Sequence, residues 1–169
     1  NEAEARASQA RHYPNLEGID FRPTGCANGV VGATCQGRLY FVSKKAKVLV
    51  TLFLDAGDAA ADRGVAHLSS TESGAFNNQP DQISAIVGSS GGTLLYFCED
   101  GGNDVGVHAR DNTGKFYTIL DAFPHYQSET TGLSFSPDNR HMYVSLQGGS
   151  GRHPGVIFDI YRLDGHPFG

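Results

Sequence analysis

The sequence predicts an all-β fold, and three observations lead to it. Apolar runs of strand length recur along the whole chain, and clusters of Gly, Pro, Asn and Asp punctuate them. The composition, with 22 Gly, 10 Phe, 7 Tyr, one Met and no Trp, suits a turn-rich β protein. The third observation is a repeat. Glu17-Gly-Ile-Asp-Phe, Asp81-Gln-Ile-Ser-Ala-Ile and Glu129-Thr-Thr-Gly-Leu-Ser-Phe each set a carboxylate just ahead of a short apolar strand. Each leads to a second strand: Gly37-Arg-Leu-Tyr-Phe-Val, Leu94-Leu-Tyr-Phe-Cys-Glu and His141-Met-Tyr-Val-Ser-Leu. Such repetition is the signature of radially arranged sheets. The expectation is a partial β-propeller of about three blades, residues 17–76, 77–124 and 125–169, preceded by a short N-terminal helical arm over residues 1–16.

The elements follow in order. Residues 1–10 are rich in Ala, Glu, Gln and Arg, which favours a helix, and Pro14 with Asn15 ends it. The first unit has strands at Gly18-Ile-Asp-Phe, Arg38-Leu-Tyr-Phe-Val-Ser and Lys47-Val-Leu-Val-Thr-Leu-Phe-Leu. Ala59-Ala-Ala-Asp-Arg-Gly reads as an insertion before an outer strand at Ala66-His-Leu-Ser-Ser. The second unit is the most regular. Gln82-Ile-Ser-Ala-Ile-Val, Thr93-Leu-Leu-Tyr-Phe-Cys, Val105-Gly-Val-His-Ala-Arg and Lys115-Phe-Tyr-Thr-Ile-Leu make four strands, the last two joined by an Asp111-Asn-Thr-Gly hairpin. The third unit turns at Ser136-Pro-Asp-Asn139, continues through His141-Met-Tyr-Val-Ser-Leu-Gln and ends with Gly155-Val-Ile-Phe-Asp-Ile-Tyr-Arg. A propeller ring needs about 4–8 blades, so this chain is expected to be completed by blades from the same or another polypeptide.

Charge and cysteine usage narrow the function classes. The net charge is −5, and the basic residues cluster only at Lys44, Lys45 and Lys47, which read as a solvated edge or loop. A nucleic-acid groove needs a concentrated basic surface, and this chain has none. No apolar run reaches the roughly 20 residues of a membrane-spanning helix. Cys26 and Cys35 flank a small-residue loop that a disulfide would close, a pairing that the spacing alone leaves open. Cys98 lies inside an apolar strand and reads as a buried free thiol.

The chemistry is expected where the recurring acids meet. Starts of the innermost propeller strands converge on one mouth, so Glu17, Asp81 and Glu129 are candidate oxygen ligands, joined by Glu99 and its neighbour Asp100. Carboxylates crowded together repel, and a hard cation such as Ca²⁺ relieves them. No paired histidines or thiolates accompany them, which disfavours zinc. An acid ahead of a strand also serves simply to cap a turn, which is the competing explanation for each one singly.

Gln79-Pro-Asp-Gln-Ile, Leu-Leu-Tyr-Phe-Cys-Glu-Asp-Gly-Gly and Ser128-Glu-Thr-Thr-Gly-Leu-Ser-Phe-Ser-Pro-Asp-Asn-Arg, followed by Met-Tyr-Val-Ser-Leu-Gln and Gly155-Val-Ile-Phe, resemble the PhoX-type alkaline phosphatase-like propellers. The resemblance spans about residues 14–168 and is most specific between Asp81 and Gln147. It implies later blades of a six-bladed propeller with a central calcium and iron site that hydrolyses phosphate esters. On that reading Glu99 matches a carboxylate metal ligand, Glu129 the acid of a Ser-Glu-x-x-Gly motif, and Asp81 the acid of a Pro-Asp-x-Ile motif. An iron-binding cysteine of those enzymes comes from earlier blades, so this chain alone is expected to be inactive. The resemblance and the cysteine loop point to a secreted, periplasmic or organelle-lumenal setting. Three readings follow: a metal-dependent phosphoesterase, a calcium-stabilised binding or scaffold subunit of a larger assembly, and a calcium-dependent lactonase-like propeller.

Overall fold

The computed structural model describes residues 13–24, 36–54, 67–73, 79–87, 93–100, 105–122, 128–148 and 154–169, with the single positions Ala7 and Phe76. The described chain is all-β and forms three antiparallel sheets. Strands β1 (Leu16–Thr24), β2 (Gln36–Ser43), β3 (Val48–Leu54) and β4 (His67–Ser73) make the first. Strands β5 (Pro80–Val87), β6 (Thr93–Glu99), β7 (Gly106–Asp111) and β8 (Phe116–Asp121) make the second. Strands β9 (Thr130–Phe135), β10 (His141–Leu146) and β11 (Val156–Tyr161) make the third. In every sheet the spatial order follows the sequence order, so each is a meander of hairpins.

The three sheets share a local plan. The first strand of each closes onto the residue following the second through one backbone bond: Lys44 to Asn15 at 2.9 Å, Asp100 to Gln79 at 2.9 Å, and Gln147 to Glu129 at 2.8 Å. The pairing of first and second strands slips by a bulge in each sheet, between Leu16 and Ile19, between Pro80 and Ile83, and opposite Tyr143–Ser145. Bulges twist and re-aim a strand, and here all three first strands take one. Those strands are also neighbours between sheets, β1 packing on β5 and β5 on β9.

Side-chain alternation places the second sheet between the other two. From β6, Leu95 and Phe97 join Tyr40, Val42 and Leu49 of the first sheet, with Ile83, Ala85 and Phe76 filling in. The intervening Tyr96 and Cys98 join Leu133, Met142 and Val144 of the third sheet. A strand covered on both faces has no solvent side, which is why β6 reads as an unbroken apolar run. By contrast β10 alternates, with Met142, Val144 and Leu146 buried and Tyr143 38% exposed. Phe76 meets Phe97 edge-on at 4.8 Å, and Phe168 folds back so that its ring packs on Tyr96 and Phe135. Each fully buried ring of this kind contributes about 1.5–3 kcal/mol.

The hairpins follow their sequence signals. Asp111 organises the β7–β8 turn, its Oδ1 accepting from the Thr113 hydroxyl at 2.6 Å and the Lys115 amide at 3.0 Å, while Gly114 takes φ +86°. The Thr113 hydroxyl is the largest of the effects holding the Asp111 carboxyl down to about 2. In the β9–β10 turn Asn139 adopts φ 55°, a left-handed geometry that Asn tolerates.

Two expectations need comment. The helical arm over residues 1–16 lies, but for Ala7, outside the described residues as far as residue 12, and its end is not helical. Tyr13 to Asn15 have no helical structure, and Leu16 already belongs to β1, where a ladder partner in Ser43 favours the extended chain. Cys26 and Cys35 lie outside the described residues, whereas Cys98 is a buried free thiol.

Close approach and one buried hydroxyl hold the sheets together. A Cβ on Gly18 would lie 2.5 Å from the Asp81 carbonyl oxygen and 2.6 Å from the Ile83 nitrogen, so β1 reaches β5 only because position 18 is Gly. Thr130 Oγ1, fully buried, accepts the Glu99 amide at 3.2 Å and lies 2.8 Å from the Glu99 carbonyl and 2.7 Å from the Gly106 carbonyl. Gly18→Ala will lower stability by about 1–3 kcal/mol through this backbone clash, read from urea denaturation. Thr130→Val preserves shape but removes the hydroxyl, and the same measurement will show a loss of about 1–3 kcal/mol from polar groups left unsatisfied.

Candidate functional site

A cluster of three carboxylates and one ammonium sits on the edge where the first strands begin. Asp81 is the second residue of β5, and Asp100 follows the last residue of β6, so pairing of these strands sets them on one edge. Glu129 enters beside them through a single antiparallel bridge to Asp100, just before β9 starts. Lys44 follows β2 and stands at the place in its sheet that Asp100 holds in the second, as the matching backbone bonds to Asn15 and Gln79 show. Its Nζ lies 3.3 Å from Asp81 Oδ2 and makes a closer ion pair with Asp100 Oδ2.

Burial makes these charges interact strongly. Asp81 is only 5% exposed, and the Lys44 side chain only 13%. Burial disfavours the Lys44 charge, yet its bonds to Asp100 and Asp81 outweigh this and hold the ammonium above its ordinary value. Glu129 is pushed up from 4.5 to about 6, first by burial, then by its hydrogen bond to Asp81 and the negative charges of Asp81 and Asp100. A hydrogen bond between two carboxyl groups needs a proton, and Glu129 is the group held above its ordinary value. The cluster sets three carboxyl groups against one ammonium.

The acids expected from sequence separate into distinct roles. Asp81 and Glu129 meet, and Asp100 joins them. Glu17 stays exposed, and among the described residues no bond or ion pair ties it to Lys44 or the acids. Glu99 is fully buried at the end of β6, on the side of that strand shared with Leu95 and Phe97. The supposed recurrence at a single position is corrected by register. The closing backbone bonds make Glu129 equivalent to Gln79 and Asn15, not to Asp81 and Glu17. Glu129 reaches Asp81 because β9 lies against the end of β6, which no repeat pattern encodes.

Lys44 is the residue that sequence reasoning misplaced. It reads as part of a solvated basic cluster, but it turns into the acids while Lys45 remains exposed. The available signal was positional. Val-Ser-Lys44, Cys-Glu-Asp100 and Ser-Leu-Gln147 occupy the same place directly after the second strand of each unit. Cys98 is a buried free thiol. Burial pushes its thiol up to about 12, partly offset by a bond to Thr130, and the nearby Asp81, Glu99 and Glu129 charges raise it further.

The donor set has the hard oxygen chemistry that Ca²⁺ prefers, but it does not by itself enclose an ion. Among the described residues no three His, Cys, Asp or Glu side chains are arranged to hold a metal, and the Lys44 ammonium already stands between Asp81 and Asp100. No protein-family model matches the chain, and no curated protein or solved structure matches it either.

The raised Glu129 value has a definite sign for stability. Folding favours its protonated form, so this contribution is fully present below pH 4.5 and is lost as pH rises through about 6. Glu129→Gln keeps a hydrogen-bonding group without the charge, so the variant will lose less stability than the wild type across that interval. Urea midpoints measured on both proteins from pH 4.5 to above 6 check this.

Proposed function

We propose that this chain forms three consecutive blades of a metal-binding β-propeller of the PhoX-like kind, and that its acidic edge is one side of a hard-cation site completed by further blades. The observation that carries the reading is the meeting of Asp81, Asp100 and Glu129 at the edge where β1, β5 and β9 begin. Carboxyl groups crowded closely enough to raise Glu129 would be relieved by a divalent cation. The shared closing bonds and bulges of the three sheets support the blade assignment. Asp81, Asp100 and Glu129 would offer oxygen ligands, with buried Glu99 immediately beside Asp100. Calcium is the cation whose chemistry suits these donors, and iron enters only through the resemblance. In the completed ring the activity would be phosphoester hydrolysis, in which a bound metal polarises the phosphoryl group.

A second reading has its own support in Lys44. An ammonium already paired with two of the acids supplies an internal counter-charge, so the edge would be held by ion pairs in place of the calcium of the calcium-stabilised scaffold, in a non-catalytic propeller that serves as a binding or scaffold subunit.

Calcium separates the two. On the first reading, Ca²⁺ added to EDTA-treated protein raises the thermal midpoint, with about 2.7 kcal/mol of stabilisation at one hundred times the dissociation constant. Asp81→Asn and Glu99→Gln then remove that response together with the calcium retained after desalting. Unchanged melting and no retained calcium in the wild type would select the ion-paired, calcium-free edge over both calcium readings, the phosphoesterase and the calcium-stabilised scaffold. Phosphatase activity in a polypeptide carrying the remaining blades, lost in EDTA and restored by Ca²⁺ plus iron, would establish the enzyme.

A further inference from the structure

A cleft of about 400 Å³ opens along the three first strands, and its lining includes Asp20, Arg22, Gln82, Ser84, Ser134 and Asn139. It runs from Gln82, the neighbour of Asp81, away from the acidic edge, and none of Lys44, Asp81, Asp100 and Glu129 lines it. Strands β1, β5 and β9 all begin at that edge, whereas Arg22 and Ser134 come late in β1 and β9, and Asn139 lies in the turn beyond. Arg22 is its one cationic side chain among the described lining residues, and it is held in place. Its Nε lies 3.0 Å from Asp20 Oδ2, and its Nη2 donates to Ser84 Oγ at 3.0 Å.

The arrangement favours an anion over a cation. The same Asp20 oxygen that faces Arg22 also accepts the Ala85 amide at 2.6 Å, so the single carboxylate of the cleft is engaged from two sides. A guanidinium carries five N–H donors: Nη2 gives one to Ser84, and the buried Nε lies near Asp20 as an ion pair without a well-aligned hydrogen bond. Ser84 accepts from Arg22, which leaves its own hydroxyl proton to donate. Gln82, Ser134 and Asn139 add neutral donors around it. The Arg22 side chain is 35% exposed, so a ligand can reach it without opening the fold.

We propose that Arg22 anchors a small oxyanion, the carboxylate or phosphate group of a ligand, in this cleft, with Ser84 as the second donor. A planar guanidinium fixed on a carboxylate is preorganised for such a group, because its remaining donors match two oxygens at once. Asp20 has opposing effects: it orients Arg22 and repels the incoming anion. That antagonism gives the proposal a sign no structural role would share.

The test is an NMR titration of EDTA-treated protein with inorganic phosphate and, separately, with acetate, at constant ionic strength with chloride as the other anion. Saturable shifts at the Ser84 and Ala85 amides are expected, with a dissociation constant on the order of 1 mM. Arg22→Gln will weaken binding by roughly tenfold or more, the loss of a charged hydrogen bond. Asp20→Asn keeps an oxygen for the Ala85 amide but removes the opposing charge, and it will tighten binding about two- to fivefold. Saturation by phosphate alone or acetate alone supports the site and identifies the oxyanion. Non-saturating shifts with both anions overturn it, as does an Asp20→Asn variant that binds no better than the wild type. Should Arg22→Gln fail to fold, Asp20→Asn decides. Because the titration is run without divalent cations, its failure leaves the calcium reading of the acidic edge untouched.

Discussion

The burial of β6 on both faces is the constraint on which the rest of the structure depends. Leu95 and Phe97 pack toward the first sheet, and Tyr96 and Cys98 toward the third, so one strand joins two cores. A strand with no solvent face must be covered on both sides, and that requirement brings β1 against β5 and β5 against β9. The polar groups at the end of this strand are then carried inward with it. Glu99 is fully buried, and the Thr130 hydroxyl meets the Glu99 and Gly106 backbones where sheets two and three touch.

The acidic edge is a consequence of that packing. Wherever the first strands begin, the next residue after each second strand arrives beside them, because the same backbone bond closes all three sheets. The side chains at that place differ: Lys44, Asp100 and Gln147. One sheet therefore supplies a cation, and the next an acid. Lys44 and Asp100 pair across the boundary between sheets, with Asp81 sharing the same ammonium. Glu129, from the third sheet, meets two acids and responds by holding its proton to higher pH. The edge thus combines an ion pair of Lys44 with Asp100 and Asp81 and a close approach of Glu129 to Asp81.

Arg22 and Asp20 show the same boundary used differently. Both lie on β1, yet each bonds to β5: Asp20 to the Ala85 amide and Arg22 to the Ser84 hydroxyl. Burial raises the Asp20 carboxyl, and the Ala85 bond and the Arg22 charge work against that rise. Polar bonds here orient the strands, while the apolar clusters supply the drive to bring them together.

The sequence by itself determined the all-β class, most strand positions and the chemistry of the hairpins. Those properties are local: apolar runs, the Asp111-Asn-Thr-Gly turn and the Ser136-Pro-Asp-Asn139 turn act over a few residues. It also named Asp81, Glu129 and Asp100, together with Glu17 and Glu99, as acids expected to converge. Tertiary structure alone decided which acids actually meet. It left Glu17 exposed, buried Glu99, and made Glu129 equivalent to Gln79 rather than to Asp81. It also drew Lys44 out of a basic run that looked solvated and placed it between two acids. These outcomes depend on inter-sheet register and on burial of charge, which arise between residues far apart in the chain. No local pattern of residue types specifies them.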